Sequence, residues 1–131
     1  MRLGTDIIEI DRIIKAYQKN TNIAQKILSD QEFMYFKAHS HAQKMTFLAG
    51  RFCAKEAYSK ALGTGFSGPL KMEAISIMNN QHGAPILLQG PVVEGVKISI
   101  SHSQTIVMAT CLIEKSDREI EDILREKGFN I

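Results

Sequence analysis

The chain has 131 residues, 44% hydrophobic and 23% charged, with a formal net charge of +2. This is enough apolar material for one compact core and too little length for two ordinary domains, so residues 1–131 are read as a single domain. The mild charge excludes a general nucleic-acid coat, and no window approaches the ~18 apolar residues of a membrane span, so neither nucleic acid nor membrane is an expected partner.

Residues 3–10 alternate as a strand, with Gly4, Asp6, Ile8 and Ile10 on one face. Asp11 is the expected N-cap of a first helix reaching Lys19, on which Ile13, Ile14 and Tyr17 face the core while Arg12, Lys15 and Lys19 make a basic face. Thr21 is the expected cap of a short second helix. Ser29-Asp-Gln-Glu32 is a capping box opening a third, which carries Phe33 and Phe36. A long helix follows from about Ala42 to Leu62.

Beyond Gly68-Pro69 the pattern turns to strands at 74–78, 85–88, 97–101 and 106–114, with turns at 79–83 and near Ser103-Gln104. Ser116 with Glu119 opens a terminal amphipathic helix over about 117–128, stopped by Gly128. The expected fold class is therefore α+β, with helices in the first half and an antiparallel sheet in the second. Cys53 and Cys111 lack metal-like spacing and read as free core thiols of a reducing compartment, and the amino terminus lacks the apolar core of a signal peptide. A cytoplasmic location is expected.

Within the long helix, Ala49, Phe52, Cys53, Glu56, Ser59, Lys60 and Gly63 share one stripe at three- and four-residue steps. Glu56 thus interrupts an apolar row and calls for a compensating cation, either Lys60 one turn on or a bound metal. Gly63-Thr64-Gly65 ends the helix. Its backbone N–H groups could cradle an anion, while a simple left-handed stop at Gly63 accounts for the same residues.

Three segments then converge in order: Gly-Thr-Asp-Ile-Ile-Glu-Ile-Asp-Arg-Ile at 4–13, Phe-Cys-Ala-Lys-Glu-Ala-Tyr-Ser-Lys-Ala-Leu-Gly-Thr-Gly at 52–65, and Ile-Ser-Ile-Ser-His at 98–102. Together they resemble the holo-acyl-carrier-protein synthases, the short trimeric branch of the 4′-phosphopantetheinyl transferases. The resemblance covers residues 4 to about 114 and implies that fold, helices packed on an antiparallel sheet. It also implies transfer of the phosphopantetheine arm of coenzyme A to a serine of apo acyl carrier protein, releasing adenosine 3′,5′-bisphosphate, in fatty acid biosynthesis.

By the same resemblance Asp6 and Glu56 are the ligands of a Mg²⁺ cofactor, a hard cation that takes one or two carboxylates and completes its shell with water and phosphate oxygens. Glu56, Asp6 and Lys60 carry the catalysis, with Glu56 the candidate base. Coenzyme A falls to Lys44, Arg51, Lys55, Ser59, Lys60, Gly63, Thr64, Gly65 and His102, although a solvated basic face is the ordinary reading of Arg51 and Lys55. The first helix, through Arg12, Lys15 and Lys19, is the expected dock for the acidic carrier protein, and a homotrimer with sites between subunits is implied. Ser103 stands where many relatives have an acid or threonine, so no third acidic group is available there. The terminal helix lies past the resemblance and is expected to pack on its own subunit.

Two other classes compete with the transferase. One is a non-catalytic module that binds coenzyme A or a nucleotide, with Asp6 and Glu56 merely structural. The other is a small zinc protein using His39 and His41, an isolated pair that is ordinarily solvated surface.

Overall fold

A computed structural model describes all 131 residues, Met1 to Ile131. The elements run β1 (Arg2–Glu9), α1 (Ile10–Lys19), α2 (Ile23–Ile27), α3 (Asp30–Lys37), α4 (His41–Leu62), a 3-10 turn (Met72–Ala74), β2 (Ser76–Asn79), β3 (Pro85–Gln89), β4 (Val96–His102), β5 (Ile106–Ile113) and α5 (Asp117–Glu126). The α+β expectation holds. The strand at the amino terminus joins the late ones: β1-β5-β4 form an antiparallel sheet, with β1 paired to β5 from Arg2 opposite Ile113 to Glu9 opposite Ile106, while β2 and β3 make a separate hairpin.

Two helix starts differ from expectation. Asp11 is not the cap of α1, because β1 runs into the helix without a loop; Glu9 takes the cap position and the Ile10 N–H is held by the Thr105 carbonyl. Asp11 instead pairs with Lys15 at 2.8 Å inside the first turn. Thr21 does not cap α2 either. Asn22 occupies that position, and the Asn20 side chain accepts its N–H. The boxes at Ser29 and Ser116 form as read, and Ser40 with Gln43 makes a third at the start of α4.

The core is one cluster of 27 buried residues, to which α4 contributes Met45, Leu48, Ala49, Cys53, Ala54, Ala57, Tyr58, Ala61 and Leu62. These residues lie all around the helix, and a helix apolar on every side is a central one. Its alanines let β1 come very close. A Cβ on Gly4 would collide with the Ala57 carbonyl oxygen and lie 2.6 Å from the Ala61 nitrogen, both backbone atoms that cannot swing aside. Gly4→Ala is therefore expected to cost about 3 kcal/mol or more of stability. Urea unfolding checks this, and an unaltered midpoint would contradict the packing.

The terminal helix packs on its own chain, as expected. Ile120 and Leu124 are fully buried, and Arg2 bridges α5 to α4 by donating to Asp117 at 2.8 Å and to the Leu62 carbonyl at 2.6 Å. The other face of the β1-β5-β4 sheet is bare. Leu3 and Ile7 of β1 are 62% and 66% exposed, beside Ile106 and Met108 of β5.

Candidate active site

Alternation along β1 turns Asp6 toward α4, on the same face as Gly4 and Ile8, and helical spacing turns Glu56 and Lys60 toward β1. Lys60 donates to Asp6 Oδ1 and to the Thr5 carbonyl, each at 3.0 Å. Of the two cations considered for Glu56, Lys60 does not pair with it, because the lysine reaches across to the strand. No hydrogen bond or ion pair within the chain engages the Glu56 carboxylate, which is only half-buried, so its oxygens remain open to solvent. Burial pushes the Glu56 carboxyl above its ordinary range, the neighbouring Asp6 charge adds in the same direction, and Lys60 opposes both.

Lys60 is thus committed to Asp6 and only weakly offsets Glu56, which leaves the two carboxylates in a negative pocket short of a cation. That donor set fits a hard divalent ion such as Mg²⁺, and no group of three or more acids, histidines or cysteines forms that would complete a shell from protein alone. His39 is engaged elsewhere: its Nδ1–H donates to the Tyr35 carbonyl at 2.7 Å and its ring lies 4.1 Å from that of Tyr35. Cys53 lies beneath the acids. Its thiol is pushed up to about 12, chiefly by burial and then by Asp6, and burial lifts Cys111 to about 12 as well, so both are inert core thiols as read from the sequence.

Toward the amino-terminal half of α4 opens a cavity of about 600 Å³, walled by Tyr35, Phe47, Arg51, Asn79, Ile100 and His102 among others. Arg51 is not on a solvated face. It is 5% exposed, donates Nε–H to the Ile77 carbonyl and Nη2–H to Asn79 Oδ1, each at 2.9 Å, and lies 4.4 Å over the Phe47 ring. His102, at the end of β4, faces the same cavity.

Several expected coenzyme A contacts fall elsewhere. Lys55 is fully buried and ion-paired to Glu32 at 2.6 Å, and its other two protons go to the Ile27 and Met72 carbonyls, so it has none left for a phosphate. Ser59 is buried and donates to the Glu56 carbonyl at 2.8 Å, within its own helix. Lys44 lies over the Phe36 ring, away from the cavity. Gly63, at φ 80°, is the left-handed stop of α4; its N–H and that of Thr64 both return to the Ser59 carbonyl, and Thr64 Oγ1 donates to the Gly65 carbonyl. Of the triplet, Gly65 alone keeps a backbone N–H with no internal acceptor. These glycines stand roughly 18 Å along the helix from Arg51, twelve residues at 1.5 Å each.

Glu32, Tyr35, Phe47 and Asn79 were not singled out from the sequence. The capping box accounted fully for Glu32 and concealed its second bond. The available signal was α4 itself: Lys55 falls among its apolar, core-facing positions, and a charge buried there must be paired.

A family model described as the 4′-phosphopantetheinyl transferase superfamily matches residues 2–111, a span that ends before α5. The holo-[acyl-carrier-protein] synthase of Streptococcus thermophilus is 44% identical over 115 residues, 88% of this chain and 96% of that protein. The crystal structure of a holo-(acyl-carrier-protein) synthase from Bacillus anthracis in complex with CoA (3′,5′-ADP) superposes with a TM-score of 0.80 at 38% identity, over 88% of this chain and 96% of that one. The Helicobacter pylori holo-[acyl-carrier-protein] synthase in complex with coenzyme A gives a TM-score of 0.73 at 28% identity, over 86% and 99%. With a match across most of its length, and with the resemblance of its motifs confirmed, the chain belongs to the 4′-phosphopantetheinyl transferase superfamily, in its holo-acyl-carrier-protein synthase branch.

Proposed function

We propose that the protein moves the 4′-phosphopantetheine group of coenzyme A to a serine of apo acyl carrier protein, in support of fatty acid biosynthesis, with Mg²⁺ held by Asp6 and Glu56. The observation that carries this is the pair of acids Asp6 and Glu56 with a single lysine, Lys60, that bonds to Asp6 and leaves Glu56 without a partner, inside the span of the family match. The serine oxygen forms a bond to the phosphorus bearing the pantetheine arm. The bond from that phosphorus to the bridging oxygen breaks, and adenosine 3′,5′-bisphosphate leaves with the electron pair.

Glu56, whose carboxylate no partner within the chain engages, accepts the serine proton. Lys60, fixed by Asp6 and the Thr5 carbonyl yet about half exposed, presents its remaining N–H to the phosphate oxygens. The divalent ion supplies charge neutralisation for the phosphates and the departing oxygen. Arg51 and His102 direct the cavity toward the phosphates of coenzyme A, and its aromatic lining suits the adenine.

The bare apolar face around Ile7 and Met108 supports a homotrimer in which this sheet is covered. Sedimentation tests that assembly, and a monomer at micromolar concentration would overturn it. No helix is long and apolar enough to cross a membrane, in keeping with a cytoplasmic location.

On α1, Arg12 has no ion pair, whereas Lys15 is partly neutralised by Asp11. Arg12 is therefore the leading contact for the carrier protein, with Lys15 and Lys19 beside it. Arg12→Glu is expected to raise KM for the carrier protein about tenfold and flatten its salt dependence, with KM for coenzyme A unaltered. Steady-state kinetics at two ionic strengths check this, and an unchanged salt slope would remove α1 as the dock.

Intact-mass analysis of an apo acyl carrier protein, incubated with the enzyme, coenzyme A and Mg²⁺ beside a chelator control, tests the function. A chelator-sensitive gain of one phosphopantetheine is expected. No gain with several carrier proteins would leave only a coenzyme A-binding module.

A further inference from the structure

Glu32 is fully buried on α3, yet it bonds to two other elements that wall the cavity, α4 and β2. Its Oε1 accepts from Lys55 of α4 at 2.6 Å and from the Ser29 N–H at 2.8 Å, and its Oε2 accepts from the Ile77 N–H of β2 at 2.7 Å. Ile77 lies on the edge of the two-stranded hairpin, where no further strand is available to pair its backbone. Two side chains take that place: Glu32 binds the Ile77 N–H and Arg51 binds the Ile77 carbonyl.

From this junction the walls diverge. Three residues along α3 lies Tyr35, one turn before Lys55 on α4 lies Arg51, and two residues along β2 lies Asn79, which accepts from Arg51. The relative placement of α3, α4 and β2 is thus fixed at a buried charge pair whose polar atoms are all engaged and neither member of which lines the cavity. Lys55 uses its three protons on Glu32, Ile27 and Met72, so the junction extends to α2 and to the 3-10 turn.

We propose that Glu32, through its pair with Lys55 and its bond to Ile77, is a positioning residue that sets the spacing of the cavity walls and thereby the affinity for coenzyme A. Its bearing on affinity rests on the cavity being the coenzyme A site. Glu56 follows Lys55 directly on α4, but no side-chain hydrogen bond or ion pair links Asp6, Glu56 or Lys60 to this junction, so a change at Glu32 is expected to reach the cavity walls before the reaction centre.

The test compares Glu32→Gln with Arg51→Met in full steady-state kinetics, well below each variant's melting temperature. Glu32→Gln is expected to raise KM for coenzyme A about tenfold while kcat stays within about twofold, the pattern of a displaced wall rather than a damaged reaction centre. An unaltered KM for coenzyme A in folded Glu32→Gln, or a fall in kcat alone, overturns the proposal. If Arg51→Met also leaves KM for coenzyme A unaltered, the cavity reading itself fails; if Arg51→Met raises it and Glu32→Gln does not, only the positioning role falls. Glu32→Asp, which keeps the charge on a shorter arm, is measured in parallel and decides the matter should the neutral variant not fold. A rise of about threefold in KM for coenzyme A is expected from it, and no rise overturns the proposal.

Discussion

Replacing Glu56 by glutamine is expected to lower turnover by about a thousandfold while making the metal-free protein harder to melt at neutral pH. The two effects have one source. A carboxylate held half-buried beside Asp6, with the only nearby lysine turned to Asp6, is poised to receive a proton and a cation but destabilises the empty fold. Because the folded state raises the Glu56 pKa, this group's contribution to stability is fully present below its unfolded value near 4.5 and is lost as pH rises through the folded value. The neutral glutamine escapes that loss.

In a chelator, the variant should therefore melt above the wild type at pH 7, and the gap should close on acidification toward pH 4. Added Mg²⁺ should raise the wild-type melting temperature and leave that of the variant nearly unmoved. Calorimetric scans at two pH values settle it; a variant that melts at or below the wild type at neutral pH would show that the acid pair is not short of a cation.

Lys55→Met is the second large effect, and it acts on the fold. It removes the ammonium and leaves Glu32 charged in a site with no solvent exposure, a change worth about 3–5 kcal/mol. Burial holds the Lys55 ammonium below its ordinary pKa while Glu32 opposes, so the lysine keeps its charge only in the company of its partner. A Lys55→Met/Glu32→Leu double variant should recover part of the loss, because no unpaired charge remains, yet not all of it, since the Ser29 and Ile77 N–H groups lose their acceptor. Urea unfolding of the three proteins gives the coupling directly. A single variant within about 1 kcal/mol of the wild type would mean that the charge is not truly buried.

Most of the fold was legible because its signals are local. The boxes at Ser29 and Ser116 each need only four residues, and alternation along 3–10 and 106–114 shows the faces of β1 and β5 without knowledge of their pairing. The start of α1 was missed because Asp11 is a good cap in isolation, whereas a strand paired up to Glu9 leaves no room for a loop before the helix. At the site, Asp6, Glu56 and Lys60 were recoverable from face and motif. Lys55 was not, for its partner lies 23 residues away and is chosen by tertiary packing. Periodicity separated Lys55 from Glu56 without showing that both sides of α4 are covered.

The close approach at Gly4 has a bearing on how such a site could be rebuilt elsewhere. Gly4 and Asp6 share one face of β1, and Ala57 and Ala61, which Gly4 meets, each follow a site residue, Glu56 and Lys60, directly in sequence. The gap across which the two acids face one another is therefore metered by a residue with no functional group. A designer grafting an aspartate–glutamate pair onto another strand and helix would first have to engineer a bare backbone contact one strand repeat away, and only then choose the acids.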